Sequence, residues 1–234
     1  STWWSTGSRR RPPRQMSFKS PPEIAKTGVQ VGATKAGTSW DKALVAGFLA
    51  GAYIAFAGLL AIVVSAGMDP DIWGGMQTFA AGAVFSLGLI LVVVAGSELL
   101  TGNMALVPLA ALGRKVSLRR LANNLGFVLV GNLAGAVFVA WFFAVESGVV
   151  TAEAPLERLG DIALAKGVEE SDWQIFLRAV GCNWLVCLAV WMALAAEDVG
   201  GKILAIFFPI MGFVAMGFDH VVANIFFLPA AIFA

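Results

Sequence analysis

The sequence predicts an all-α membrane protein built from two related units, each holding a helix that is broken at membrane depth. Three observations carry this prediction. Apolar residues make up 59% of the 234 residues and charged residues only 13%, with a mean hydropathy of +0.81; a soluble chain carries roughly 25% charged residues. Apolar runs at 43–67, 74–112, 122–145, 174–196 and 203–234 each supply the ~20 residues that a bilayer requires. Two of those runs are too long for one straight helix, and the same motif recurs in both. The net charge of +1 excludes a chain that grips nucleic acid through a basic face. Cys182 and Cys187 have no His or Cys neighbour at metal spacing, so neither a zinc site nor a disulfide scaffold is expected, and no metal or cofactor is implied.

Residues 1–42 form a basic N-terminal segment, distinct from the membrane domain at 43–234. It holds Arg9, Arg10, Arg11, Arg14, Lys19, Lys26, Lys35 and Lys42 against Glu23 and Asp41. The acid-free stretch 1–22, rich in Ser, Thr, Arg and Pro, reads equally as an organelle transit-peptide remnant or as a cytosolic tail. Met16 is a candidate start.

The connections between runs sort by charge. Segment 113–121 carries Arg114, Lys115, Arg119 and Arg120 with no acid. Segment 146–173 carries Glu146, Glu153, Glu157, Asp161, Glu169, Glu170 and Asp172 against Arg158 and Lys166. Counting basic residues places the N-terminus and 113–121 on the cytosolic side, and the runs then alternate without conflict.

The run 74–112 is nearly twice the length one span can use. Reading it as a hairpin would break that alternation, so a helix interrupted near 96–103 is expected. Irregular backbone at such depth is tolerated only where it is buried or lines a wet cavity. The run 203–234 matches it. Gly96, Glu98, Asn103 and Pro108 correspond to Gly217, Asp219, Asn224 and Pro229, giving G-x-[DE]-x4-N-x4-P twice at a constant offset of 121 residues. The charge topology sets the two copies in opposite orientations, and an inverted repeat with paired broken helices points to a substrate path near the midplane. Unit one has three spans and unit two only two, so a sixth span is expected beyond this sequence.

Ionisable groups at membrane depth are costly, ~2.5–3.5 kcal/mol or more, and mark function by default. His220, the one histidine, falls in the second break. It is either a pore group that donates a proton or carries a transient charge, or a residue hydrogen-bonded between helices. Glu98 and Asp219 are expected to support the breaks by capping the following helix starts. Asn103 and Asn224 are expected to bridge broken backbone or face the pore, and Thr101 offers a hydroxyl in the first break. Asn183 lies mid-span with a helix–helix hydrogen bond as its plain role. Gly47/Gly51 and Gly131/Gly135 are G-x-x-x-G spacings that permit close helix packing. Trp173 and Trp184 read as interface or packing aromatics.

The stretches Gly96-Ser-Glu-Leu-Leu-Thr-Gly-Asn103, Gly131-Asn-Leu-Ala-Gly135, Cys182-Asn-Trp-Leu-Val-Cys187 and Gly217-Phe-Asp-His-Val-Val-Ala-Asn224 resemble the formate/nitrite transporter family over about 27–234. Ala163-Leu-Ala-Lys166 and the Cys-Asn-Trp segment look closest to its nitrite-channel branch. The resemblance implies an aquaporin-like bundle of six spans, a homopentamer with one pore per protomer, and transport of small monovalent anions (nitrite, formate or hydrosulfide) together with protons. It makes His220 the central pore histidine, Thr101 the hydroxyl of the first broken-helix loop, and Lys166 a lysine of the outer vestibule with Asn183 and Asn224 as polar companions. It makes Phe85, Leu89, Leu100, Val186 and Phe213 the apolar constrictions. The spacing from Lys166 to Asn183 is slightly longer than the family's. Localisation follows as the bacterial inner membrane, or a plastid envelope, as for algal nitrite transporters, if 1–22 belongs to a transit peptide.

Dehydrating an anion in an apolar constriction is costly unless its charge is offset. Lys166 would concentrate anions, and His220 would either protonate the anion or pair with it as a cation. The alternative transporter is a neutral-solute channel for water, glycerol or ammonia, to which these cations offer nothing. An enzyme would need clustered acids or a nucleophile with its base; Glu98, Asp219 and one histidine make no such cluster, so none is expected.

Overall fold

A computed structural model describes residues 18–234; the transit-peptide reading and Arg9, Arg10, Arg11, Arg14 and Met16 fall mainly or wholly outside the described residues. The described chain is helical throughout. The helices are α1 Pro21–Ala36, α2 Trp40–Ser65, the single turn α3 Pro70–Trp73, α4 Gly75–Leu91, α5 Leu100–Leu112, α6 Leu118–Phe138, α7 Glu153–Leu164, α8 Asp172–Ala195, α9 Val199–Ala215 and α10 Val221–Phe233. Wider π turns extend α4 over Val92–Gly96, α6 over Val139–Val145 and α7 over Ala165–Glu169.

Helix α2, α4 with its π turn, α6 with its π turn, and α8 are long and apolar enough to cross a membrane, while α5, α9 and α10 are shorter apolar helices. The two overlong runs are therefore broken, as the sequence requires. Large apolar side chains such as Val45, Phe56, Val130, Phe142, Phe176 and Trp184 stay exposed on the outer faces. Contiguous apolar surface of this kind fits lipid rather than water.

The core forms where α2 packs on α4 and α6, and where α4 packs on α9. Helices α2 and α6 approach closely through the two G-x-x-x-G pairs. A Cβ at Gly135 would lie 2.0 Å from the Phe48 carbonyl oxygen, and one at Gly51 would lie 2.1 Å from that of Asn132. Only glycine permits that spacing, so the expected packing role holds.

Besides the single turn α3, two longer helices lie where no element was read from the sequence. Helix α1 starts at a capping box: the Ser20 backbone N–H donates to Glu23 at 2.8 Å, its hydroxyl donates at 2.6 Å, and Pro21 opens the first turn. Those bonds hold the Glu23 carboxyl below its ordinary range. The helix packs on α5, and Lys19 N–H ahead of it bonds the Ala195 carbonyl at the end of α8. Helix α7 occupies the acidic segment 146–173, packs against α10 and α2, and continues into the π turn that carries Lys166. In each half of the chain an amphipathic helix thus precedes the first long apolar helix and the broken pair.

Candidate functional site

The two breaks share one local geometry. Gly96 and Gly217 both adopt left-handed φ values, +82° and +74°, which cost a side-chain-bearing residue energy and glycine little. Each break ends in a residue with extended backbone, Leu99 at φ −98° and His220 at φ −102°, that opens a thirteen-residue helix, α5 or α10. The first break is stitched by Asn132 of α6. Its amide donates to the carbonyls of Gly47 at 2.8 Å and Glu98 at 2.9 Å, and its oxygen accepts Leu100 N–H at 2.9 Å. Glu98 N–H in turn bonds the Ala46 carbonyl at 3.1 Å. Asn132 is fully buried and satisfies the backbone groups that the interruption leaves open. Sequence reading gave a role only to its flanking glycines; an Asn between two closely packing glycines, deep in an apolar run, was the signal that could have found it.

Glu98 and Asp219 do not cap the helix starts, which corrects that expectation. Instead each carboxylate takes a lysine from the amphipathic helix of its own half and an amide from the following helix. Lys35 Nζ lies 2.9 Å from Glu98 Oε1, and Asn103 donates to Oε2 at 2.7 Å. Lys166 Nζ lies 2.6 Å from Asp219 Oδ1, and Asn224 donates to the same oxygen at 3.1 Å. Asn103 also donates to Asn124, whose amide reaches the Lys35 carbonyl at 2.9 Å. The asparagines of the repeat therefore hold carboxylates rather than backbone ends. No carboxylate therefore bonds the open N–H groups at the starts of α5 and α10, where each helix presents partial positive charge.

The imidazole performs the capping in the second break. His220 Nδ1 accepts Ala223 N–H at 3.2 Å, while Nε2 meets the Thr101 hydroxyl at 3.0 Å. An accepting Nδ1 assigns the proton to Nε2, so a neutral ring donates to Thr101 Oγ1 and leaves the hydroxyl hydrogen free to turn elsewhere. Both side chains are buried. The structure thus joins one residue from each break.

A cavity of about 220 Å³ has His220, Phe85, Phe213, Lys166, Glu170 and Arg178 among its lining residues. The Phe85 and Phe213 rings meet edge to face at 5.9 Å, and Phe213 stacks on His220 at 5.9 Å. A second cavity of about 400 Å³ is lined by Leu89, Ser97, Leu99, Gly102 and Lys202, among others. Leu99 and Gly102 bracket Thr101, so the Thr101–His220 bond ties the wall of one cavity to the helix start that walls the other. Leu89, Leu100 and Val186 are buried in the core. Leu100 and Val186 line neither cavity. Asn183 also stays apart, its amide 3.6 Å from the Met104 sulfur. Among the described residues no group of His, Cys, Asp and Glu is placed to hold a metal.

An apolar-skinned helical bundle with two broken helices meeting at a polar pair between cavities is the architecture of a membrane channel or transporter. The family model for formate/nitrite transporters matches residues 22–234. The uncharacterized transporter YrhG of Bacillus subtilis is 49% identical, covering 94% of this chain and 82% of the relative. A probable formate transporter of Methanothermobacter thermautotrophicus is 48% identical, covering 93% and 84%. A solved pentameric formate channel with formate bound superposes with a TM-score of 0.73 at 31% identity, covering 82% of this chain and 75% of that one. The chain belongs to the formate/nitrite transporter family.

Proposed function

We propose that each protomer conducts small monovalent anions, formate and nitrite first among them, through a path controlled by His220 and Thr101, in a homopentamer. The observation that carries this is the Thr101–His220 bond with its proton on Nε2. A neutral ring donates a hydrogen bond to an anion that has lost its water in the apolar passage past Phe85 and Phe213, and a ring that has taken up a second proton from solution can pass that proton to the anion and return to the neutral form. Proton transfer lets the species cross as the neutral acid and avoids the cost of a bare charge in hydrocarbon. The positive starts of α5 and α10 further stabilise negative charge beside the pair. Membership of the family, and close similarity to a probable formate transporter, support the substrate class.

The repeat is inverted in this reading. Lys166 and α7 lie at the outer mouth, and Lys35, α1 and the 113–121 loop at the cytosolic one, as the basic residues of the loops dictate. Asp219 balances Lys166 and Glu170 pairs with Arg178, so attraction of anions at the outer mouth draws first on Arg158, which lines the same cavity.

The test is uptake of labelled formate and nitrite into proteoliposomes at several pH values. Wild-type protein should show saturable uptake in which each anion competes with the other, and His220→Phe should abolish it. Equal uptake by the variant rejects the assignment of His220, and passage of glycerol without anion competition rejects the substrate class.

A further inference from the structure

Beside the Lys166–Asp219 pair lies a second acid that the pore chemistry above does not use. Glu170 follows the π turn of α7, and its side chain is 7% exposed. Its Oε1 accepts from Arg178 of α8, while Oε2 is buried with no partner. Asp219 mirrors this: Oδ1 takes Lys166 and Asn224, while Oδ2 is buried with no partner. Lys166, on the π turn four residues before Glu170, holds Asp219 at 2.6 Å and so brings the two carboxyl groups to the same wall. Two ionised carboxylates this close, each with an unsatisfied buried oxygen, repel; one proton between them removes the repulsion and satisfies both.

We propose that Glu170 and Asp219 share one exchangeable proton, as Glu170 Oε2–H donating to Asp219 Oδ2, so that the mouth of the His220 cavity is a proton-binding site whose occupancy sets the charge met by an entering anion. The effect on anion entry rests on the transport function proposed above; the proton site does not.

The groups that face Glu170 set the charge balance. Lys166 faces it from the π turn, Arg178 from α8 and Asp219 from the break; Asn224 is the one polar residue that α10 adds to this wall, beside the apolar Ala223 and Phe227, and Arg158 and Asp161 of α7 line the cavity further along. Glu169 and Asp172, its neighbours in sequence, are exposed. With both acids ionised, Lys166 and Arg178 are cancelled. With the shared proton in place the cluster carries one net positive charge, directly beside His220. Burial, reinforced by the Asp219 carboxylate, raises the Glu170 carboxyl above its ordinary range, against the opposing pull of Arg178 and Lys166. The proton thus arrives at the mouth from the same solution as the anion, and the protonated mouth is the attractive one.

The test combines infrared spectroscopy with transport on the full chain in liposomes. Wild-type protein at neutral pH should show a protonated-carboxyl C=O band that titrates away as pH rises and is missing in Glu170→Gln. The variant, whose amide donates permanently to Asp219, should also flatten the rise of the apparent KM for formate with external pH. One linked proton permits a rise of up to about tenfold per pH unit in the wild type. Absence of the band in wild type, or its persistence in the variant, overturns the shared proton. Loss of the band with an unchanged KM profile overturns its control of anion entry. Should Glu170→Gln not fold, Glu170→Asp, with its carboxyl one methylene further back, must shift the band; an unshifted band overturns the proposal. A wild type that shows the band but passes neither formate nor nitrite refutes the transport function and leaves the proton site standing.

Discussion

The Ser86 hydroxyl donates to the Phe207 carbonyl at 3.1 Å, across 121 positions of chain. That separation is the offset between the two G-x-[DE]-x4-N-x4-P motifs, so equivalent points of the two units touch each other where α4 packs on α9. The units share a seam, and the breaks on either side of it meet at Thr101 and His220.

Thr101→Val keeps the shape of the site and removes the acceptor of the His220 Nε2 proton. A buried donor left unpaired costs about 1–3 kcal/mol. Formate uptake in proteoliposomes should fall about tenfold or more, and Thr101→Ser should restore most of it.

Asp219→Asn leaves Lys166 without its anion where its side chain is only 15% exposed. Removing one partner of a buried pair costs about 3–5 kcal/mol. The melting temperature in detergent should drop clearly, and the double variant Lys166→Met/Asp219→Asn should recover part of the loss, which a double-mutant cycle measures.

Asn132→Leu should be among the most damaging single changes. It strands Leu100 N–H and the carbonyls of Gly47 and Glu98 inside the bundle, at about 1–3 kcal/mol for each unsatisfied group. Unfolding titrations should show the loss, with uptake lost in parallel.

Gly135→Ala drives a methyl against the Phe48 carbonyl oxygen and should destabilise by about 1–3 kcal/mol through forced separation of α2 and α6. Gly126→Ala, on the same helix with nothing within 4 Å of the new methyl, should be neutral or slightly stabilising. Paired thermal melts of the two variants check the contrast.

Stability should also depend on pH through Glu170. Its carboxyl is raised in the fold, so the folded state holds the proton more tightly than the unfolded one. That contribution is complete below the ordinary carboxylate range and is lost as pH rises through the folded value. Melting temperature should therefore decline with rising pH over that window in the wild type, and the decline should shrink in Glu170→Gln.

The spans, both breaks and the convergence of the two interrupted segments were legible in the sequence because lipid imposes a length, and because two glycines and two prolines recur at a fixed interval; the bond between Thr101 and His220 was not. The amphipathic helices α1 and α7 were not. Their Gly, Thr and acid content gives no membrane-length run, and α1 gains its place from packing on α5 rather than from pattern. The partners of Glu98 and Asp219 were equally hidden: Lys35 and Lys166 lie 63 and 53 positions away, distances at which no local spacing rule speaks. A carboxylate two residues before a helix reads as a cap, and only the fold reveals that a lysine claims it. His220 took the capping role because its ring nitrogen reaches Ala223 N–H, leaving the other nitrogen for Thr101.

Each interrupted segment is moored by one ion pair to a helix that carries few of the chain's apolar residues. Displacement of α1 or α7 is passed to the backbone of a break through that pair, and also through the packing of α1 on α5 and of α7 on α10. A shift of either helix thus reaches a break without disturbing the close packing of α2 on α6.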